Sequence, residues 1–382
     1  MEKFNHYELA LIIPPFESKI TDLIIDLDHL RRKELGGSTH PRVFFQLKNI
    51  FHALESIGSA RIEGNNTTIA EYVESEIEND KSTNNIREID NIKKAMLFIE
   101  ENVMNYPINK SFVSQIHKIL VEDLPIAPHG EGDITPGVYR NVNVKIAKSS
   151  HIPPDAFLVD ELMENLFEFI NRKDSSKYDL LKTAIAHHRF VWIHPFSNGN
   201  GRTVRLFTYA MLIKNGFNVD VGRILNPTAI FCNNRNIYYE KLSKADEGTD
   251  NGILEWCEYV LSGLKDEIEK IDRLTDYNFL KTKILLPTIT YGINHKILTE
   301  NEALILIKAV EMQVIQNSDL KSLFPEKNTS EISREIKSLK DKKMLVSESN
   351  NVRKYILRFD NNYLMRGIIK ALENNNFISI KE

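Results

Sequence analysis

His194-Pro-Phe-Ser-Asn-Gly-Asn-Gly-Arg202, written HPFSNGNGR, stands near the middle of a 382-residue chain, and its flanks decide how it is read. Upstream, 178–193 (YDLLKTAIAHHRFVWI) is apolar on one side at helical spacing. Downstream, Val204, Phe207 and Met211 keep that spacing until Asn215-Gly216 ends it. The stretch is therefore a loop between two helices, with its glycines leading into the second. A helix start offers unpaired N–H groups and a partial positive charge, and glycines let the backbone come close to an anion. Arg202 and Arg205 fall in the first turn of that helix, where a cation opposes the dipole, and a bound polyanion is the natural compensation. His194, at the other end of the loop, is a residue type whose ordinary pKa of ~6.5 suits a general base. Phe196 is expected to pin the loop into the core. His187 and His188 read as core and surface histidines. A His187/His194 metal pair is rejected because the loop breaks the helical spacing.

The rest of the chain is ordinary for a globular protein, with 42% apolar and 27% charged residues. A formal net charge of −4 exerts no global pull toward nucleic acid or anionic membrane. Cys232 and Cys257 make neither a disulfide framework nor a metal knuckle. No stretch approaches the ~20 apolar residues of a membrane span, and residues 1–20 show no signal-peptide pattern, so a cytoplasmic protein without membrane contact is expected.

Helical stripes recur at Phe44/Leu47/Phe51/Leu54, Ile86/Ile89/Ile92/Met96/Ile99, Phe112/Ile116/Ile119 and Trp256/Val260/Leu264/Ile268/Ile271. Thr68 followed by Glu71 fits a capping box, and Asp80–Asn85 (DKSTNN) reads as a loop. From Asp133 to Pro154, Gly, Pro and Ser breaks surround the alternating NVNVKI, which predicts a short β-hairpin. After Asp272 the pattern predicts helices over Thr299–Gln316, Asp319–Leu323 and Ser330–Lys343, then two strands joined at Asn350-Asn351. That is the order of a winged helix-turn-helix. Its Lys327, Arg334, Lys337, Lys340, Lys342 and Lys343 are interleaved with Glu326, Glu331, Glu335 and Asp341, a balance unlike the strongly basic footprint of a typical DNA reader, so protein contact, including a homodimer, stands at least level with DNA binding.

HPFSNGNGR with Arg205 after it closely resembles the signature of the Fic family, HPFx(D/E)GNGRxxR, and the preceding AHHRFVWIHPF is similar to that family's helix. The likeness extends with decreasing strength from Phe44 to Tyr259. It implies a mainly α fold: a Fic-type helical core with a β-hairpin flap, plus the C-terminal winged helix-turn-helix. The regions would be 1–105 (N-terminal, helical), 106–272 (catalytic core) and 273–382 (winged helix). It also implies transfer of AMP from ATP to a Ser, Thr or Tyr hydroxyl of a protein, or of the chain itself, with release of pyrophosphate. His194 would be the base. Asn200 and the backbone of Gly199 and Gly201 would hold the α-phosphate, and Arg202 and Arg205 the β- and γ-phosphates. Magnesium, with manganese as a substitute, would bridge the α- and β-phosphates.

At the position where the family has Asp or Glu, this chain has Asn198. An amide oxygen is a weak magnesium ligand without charge, which leaves room for another metal or another nucleotide. Ser59–Gly64 (SARIEG) resembles the family's inhibitory motif, (S/T)xxxE(G/N), with Ser59, Glu63 and Gly64 in the motif positions and Glu63 set against Arg205. Residues 139–153 take the place of the flap that docks the protein substrate, and Asn233–Tyr239 (NNRNIYY) resembles the adenosine-site segment, with Tyr238 and Tyr239 as packing residues. The competing readings are removal of AMP, transfer of another phosphate-containing group, and a DNA-binding regulator that senses nucleotide.

Overall fold

A computed structural model describes residues 4–33, 37–80, 82–146, 149–217, 225–349, 353–360 and 362–378. In chain order its helices are α1 (Lys19–Arg32), α2 (Pro41–Glu63), α3 (Ile69–Glu78), α4 (Asn84–Asn102), α5 (Lys110–Val121), α6 (Val159–Asn171), α7 (Asp179–Ile193), α8 (Asn200–Lys214), α9 (Thr228–Cys232), α10 (Arg235–Ala245) and α11 (Asp250–Asp272). They continue with α12 (Tyr277–Leu280), α13 (Leu286–Asn294), α14 (Glu300–Met312), α15 (Asn317–Leu320), α16 (Thr329–Asp341) and α17 (Leu364–Asn374), and the strands are β1 (Leu345–Ser347) and β2 (Tyr355–Leu357). None of the helices is long and apolar enough to cross a membrane among the described residues.

The chain divides into two compact units: 1–34, 55–67 and 82–268 form the first, and 35–54, 68–81 and 269–382 the second. The residues expected as one N-terminal region, 1–105, are thus shared between both units. In the first unit α7 packs on α6 and α8, while α4 and α5 pack on each other and on α8. Almost every residue of α7 and α8 is buried, including Trp192, Phe190, Phe207 and Tyr209, so this pair is the centre of the unit. A helix buried on all sides cannot shift without opening the core, and the loop between α7 and α8 inherits that rigidity.

The hairpin expected in this unit is replaced by another device. Among the described residues of 133–154 no strands pair; 147 and 148 lie outside the description. The segment is held by side chains in place of a ladder. Asn143 donates to Asp155 at 2.7 Å and accepts from the Ala156 N–H at 2.8 Å, which ties its two ends together. Val142 is exposed, so the alternation that suggested a hairpin has no second strand to pack on.

In the second unit the Thr68–Glu71 capping box starts α3. Helix α14 stops at Met312, four residues short of the expectation, because Gln313 takes φ 63° and turns Ile315 into a bridge with Tyr355. An Asn328–Glu331 capping box begins α16. Strands β1 and β2 pair antiparallel, Val346 opposite Ile356. The turn expected at Asn350-Asn351 lies outside the described residues.

Candidate active site

The loop after α7 begins with a strained residue. His194 caps α7 in the left-handed conformation, φ 54° and ψ 63°, a region a non-glycine residue rarely occupies. Its Nδ1 lies 3.3 Å from the Val191 carbonyl. A carbonyl only accepts, so Nδ1 carries the proton and Nε2 is left with its lone pair. Burial pushes the His194 pKa down to about 4, against the Val191 bond, which works the other way. The ring is therefore neutral at physiological pH, the form a base needs.

Gly199, at φ 75°, is the N-cap of α8 and turns the chain into the helix. The Asn200 side chain closes the loop on itself. Its Oδ1 accepts from the Phe196 N–H at 2.9 Å, and its Nδ2 donates to the Phe196 carbonyl at 2.8 Å. The Asn200 side chain thus braces the loop, which leaves its backbone N–H at the start of α8.

Glu63, the last residue of α2, already occupies this helix start. A Cβ built on Gly201 would lie 2.1 Å from its Oε1, so only glycine leaves room for the carboxylate. The same Oε1 accepts from Arg205 Nη2 at 2.7 Å. Ser59, one turn earlier, accepts from Arg205 Nε at 2.8 Å through its hydroxyl and from Nη2 at 2.9 Å through its carbonyl. Gly64, at φ 115°, then turns the chain away. Burial acts to raise the Glu63 pKa, but the charge and hydrogen bond of Arg205 outweigh it and the net direction is down. Glu63 is an anion set against a buried guanidinium and a helix start.

Arg202 is wholly buried and points elsewhere. Its guanidinium pairs with Glu88 at 3.0 Å and Glu131 at 3.1 Å and also donates to the Glu131 carbonyl. Its Nε has no partner among the described residues. Tyr238 sits in the core, with its hydroxyl 3.1 Å from His187 Nε2 and its ring against Phe231 and Trp256. The two tyrosine rings lie side by side, centroids 5.3 Å apart, with Tyr238 buried and Tyr239 exposed beside Arg235, and Asn234 spends its Oδ1 capping α10. His187 is buried as expected, and His188 is buried too, against Asp246 and in contrast to the surface place expected for it.

The residues present fit a polyphosphate better than a metal. No group of three His, Cys, Asp or Glu side chains that could hold a metal ion occurs among the described residues. The Asn198 amide is turned into the loop, with Oδ1 accepting from the Gly199 N–H at 2.8 Å and Nδ2 donating to the Gly132 carbonyl at 3.2 Å.

Residues 107–212 match the model of the Fic/DOC family. This segment is a Fic domain. The chain is 30% identical over 204 residues, 52% of its length, to "Protein adenylyltransferase Fic" of Aedes aegypti, and spans 37% of that relative. It is 31% identical over 273 residues to the protein of the same name in Drosophila yakuba, covering 64% of this chain and 50% of the relative. The chain thus spans about a third to a half of the curated relatives it matches. Among solved structures, a Fic family protein from Desulfovibrio desulfuricans superposes with a TM-score of 0.55 at 20% identity, over 92% of this chain and 98% of that one. A Fic domain signalling protein from Bacteroides thetaiotaomicron gives 0.53 at 19% identity, over 68% and 98%. At these identities the likeness speaks to the fold alone.

Three side chains that the signature does not contain hold the Fic loop. Arg140 donates from Nε to the His194 carbonyl at 2.8 Å and from Nη2 to the Pro154 carbonyl at 2.6 Å. It thereby fastens the 139–153 segment to His194. Buried His117 accepts from the Gly137 N–H at 2.8 Å through Nδ1, so Nε2 carries the proton it presents to the Asn198 carbonyl at 3.0 Å. Its ring stacks on Phe196 with centroids 3.8 Å apart. Asp133 accepts from the Asn198 N–H at 2.9 Å and the Thr135 N–H at 2.8 Å. The Asp-x-Thr turn at 133–135 is legible in sequence. Nothing local ties His117, on a helical stripe, to a loop about 80 residues away.

Eight residues before Glu63 on α2, buried Glu55 accepts from the Thr228 N–H at 3.0 and 3.1 Å. Burial pushes its pKa up to about 8, the Thr228 bonds oppose this, and nearby Glu267 adds to it. An unfolded glutamate titrates near ~4.3. The folded chain therefore binds the extra proton between that value and about 8, and stability falls as pH rises through this window. Glu55→Gln keeps an acceptor and removes the charge. Its melting temperature relative to wild type should improve from about pH 5 to about pH 8 and level off above that. A constant difference across that range would show that Glu55 titrates alike in both states.

Proposed function

We propose that the chain is a protein adenylyltransferase held in check by Glu63. It moves AMP from ATP to a Ser, Thr or Tyr hydroxyl of a protein target or of itself. The observation that carries this reading is the Glu63 carboxylate seated on Gly201 and Arg205, next to a neutral His194. An internal anion placed where backbone N–H groups and a guanidinium converge marks the seat of a phosphate. The name of the curated relatives supports the same activity.

In the step, the target hydroxyl oxygen forms a bond to the α-phosphorus while the bond between that phosphorus and the α,β-bridging oxygen breaks. The hydroxyl proton passes to His194 Nε2, and pyrophosphate leaves. The N-terminal N–H groups of α8 would face the phosphates, and Arg205 the γ-phosphate once Glu63 withdraws. Arg202, paired with Glu88 and Glu131, would brace the loop from behind with its charge already balanced by those carboxylates. Residues 139–153 would carry the target segment beside His194, positioned by Arg140. Magnesium would be carried in with ATP, held mainly by phosphate oxygens and water.

Incubation with ATP labelled at the α-phosphate tests the reading. Label appearing on protein supports it. Label lost from an AMP-modified protein, with none gained from ATP, assigns the site to AMP removal instead. Asn198→Asp tests the metal. A carboxylate there should lower the magnesium concentration for half-maximal rate, since it adds an attraction the amide lacks. An unchanged titration would show that residue 198 does not face the cation.

A further inference from the structure

We propose that the second unit binds duplex DNA through the exposed stripe of α16, chiefly by its phosphate backbone. This goes beyond the transfer reaction and does not depend on it. The element order is α14, the Ile315 bridge to Tyr355, α15, α16, β1 and β2. Helix α16 packs on α14, α15 and β1, burying Ile332, Ile336 and Leu339. Its opposite side faces solvent.

In sequence the basic and acidic residues of α16 alternate, and that order favours no class of partner. In the helix they separate. Ser330, Ser333, Arg334, Lys337 and Lys340 lie together on the exposed side, with Asp341 closing the stripe at the C-terminal end. Glu331 and Glu335 fall on the flank, and both are engaged. Glu331 accepts the Asn328 N–H at 2.7 Å in the capping box, and Glu335 pairs with Lys327 at 2.6 Å. Arg334 and Lys337 have no carboxylate within ion-pair distance among the described residues. Between 321 and 343 there are seven basic and four acidic residues, of which Lys327 is paired with Glu335 and Lys342 with Glu302. Charge is read locally, over about 10 Å at 0.1 M salt, so the chain's overall −4 does not cancel this face.

The same face argues against a protein partner. The exposed large apolar side chains include none on α15, α16, β1 or β2, and a protein-binding patch needs such anchors. A stripe of hydroxyl, guanidinium and ammonium groups on a helix free to enter a groove suits phosphate and base edges.

The test uses the full chain and a fluorescent duplex of about 20 bp with random sequence, titrated at several salt concentrations. Binding should appear with a dissociation constant of about 10⁻⁴–10⁻⁶ M at physiological salt, and log affinity should fall linearly with log salt. Arg334→Ala with Lys337→Ala should lower that slope by about 2, and Arg334→Glu should abolish binding. His194→Ala should bind DNA as wild type does, which separates this outcome from that of the transferase. Absence of salt-dependent binding, or variants that bind like wild type, overturns the proposal. Variants that alter sedimentation without any DNA binding would reassign the face to self-association and equally overturn it.

Discussion

Glu63→Gly transfers AMP faster than wild type, by about 10- to 100-fold, the kinetic equivalent of one charge-assisted hydrogen bond of about 1.5–3 kcal/mol. The reason lies in a shared guanidinium. Arg205 is almost wholly buried and gives Nη2 to Glu63 at 2.7 Å. While that bond holds, an incoming γ-phosphate would meet a carboxylate instead of a cation, in a pocket where water screens poorly. Removing a catalytic carboxylate would slow the reaction, so the sign of the change separates the two roles.

Two further variants sharpen the test. Glu63→Gln keeps an acceptor for Arg205 and loses the charge, so its gain should be smaller than that of Glu63→Gly and in the same direction. Arg205→Ala should be slow, and Glu63→Gly should not rescue it, because carboxylate and phosphate use the same group. The comparison is made with labelled ATP at saturating magnesium and again with manganese. A Glu63→Gly protein that folds and labels more slowly than wild type ends the autoinhibition reading. The Glu63 pKa is held down, so its ionic contribution to stability is complete above the ordinary glutamate range and is lost as pH falls through the lowered value.

His194→Ala, made in the Glu63→Gly background, loses about 10²- to 10⁴-fold in rate, the usual cost of removing a general base. ATP binding should stay close to that of the parent, since the backbone N–H groups of α8 and Arg205 remain. Alanine is strained at φ 54°, so His194→Asn, which tolerates that conformation better, guards against a change of loop shape. Both variants should be slow. The parent's rate should hold through the ordinary histidine range as pH is lowered and fall only toward about 4, because the base stays neutral until then. A folded His194→Asn enzyme with near-parental rate would remove His194 from the chemistry.

The nine residues of the loop, with the two helices around them, were legible from sequence because each constraint is local. Glycine suits the positive φ of residue 199, apolar spacing marks the helices, and a helix start attracts an anion. The resemblance of SARIEG to the family's inhibitory motif implied Glu63 and Arg205 as partners, and the structure brings them to 2.7 Å. What remained hidden depends on contacts between segments far apart in the chain. Arg202 and Arg205 look equivalent one turn apart, yet neighbours from α4 and the 131 loop claim the first, while α2 claims the second. Tyr238 and Tyr239 are adjacent in sequence, but α10 buries one against His187 and exposes the other, because successive residues on a helix point about 100° apart. The alternation at 142–146 reads as a strand whether or not a partner exists, and only packing shows that Arg140 and Asn143 hold the segment instead. Sequence by itself thus determined the helical class and the loop, and the resemblance it carries implied the glutamate that meets Arg205. Tertiary structure decided which arginine the acids of α4 and the 131 loop hold, which tyrosine is core and which acids of α16 leave its outer face positive, since burial and pairing are properties of neighbours in space.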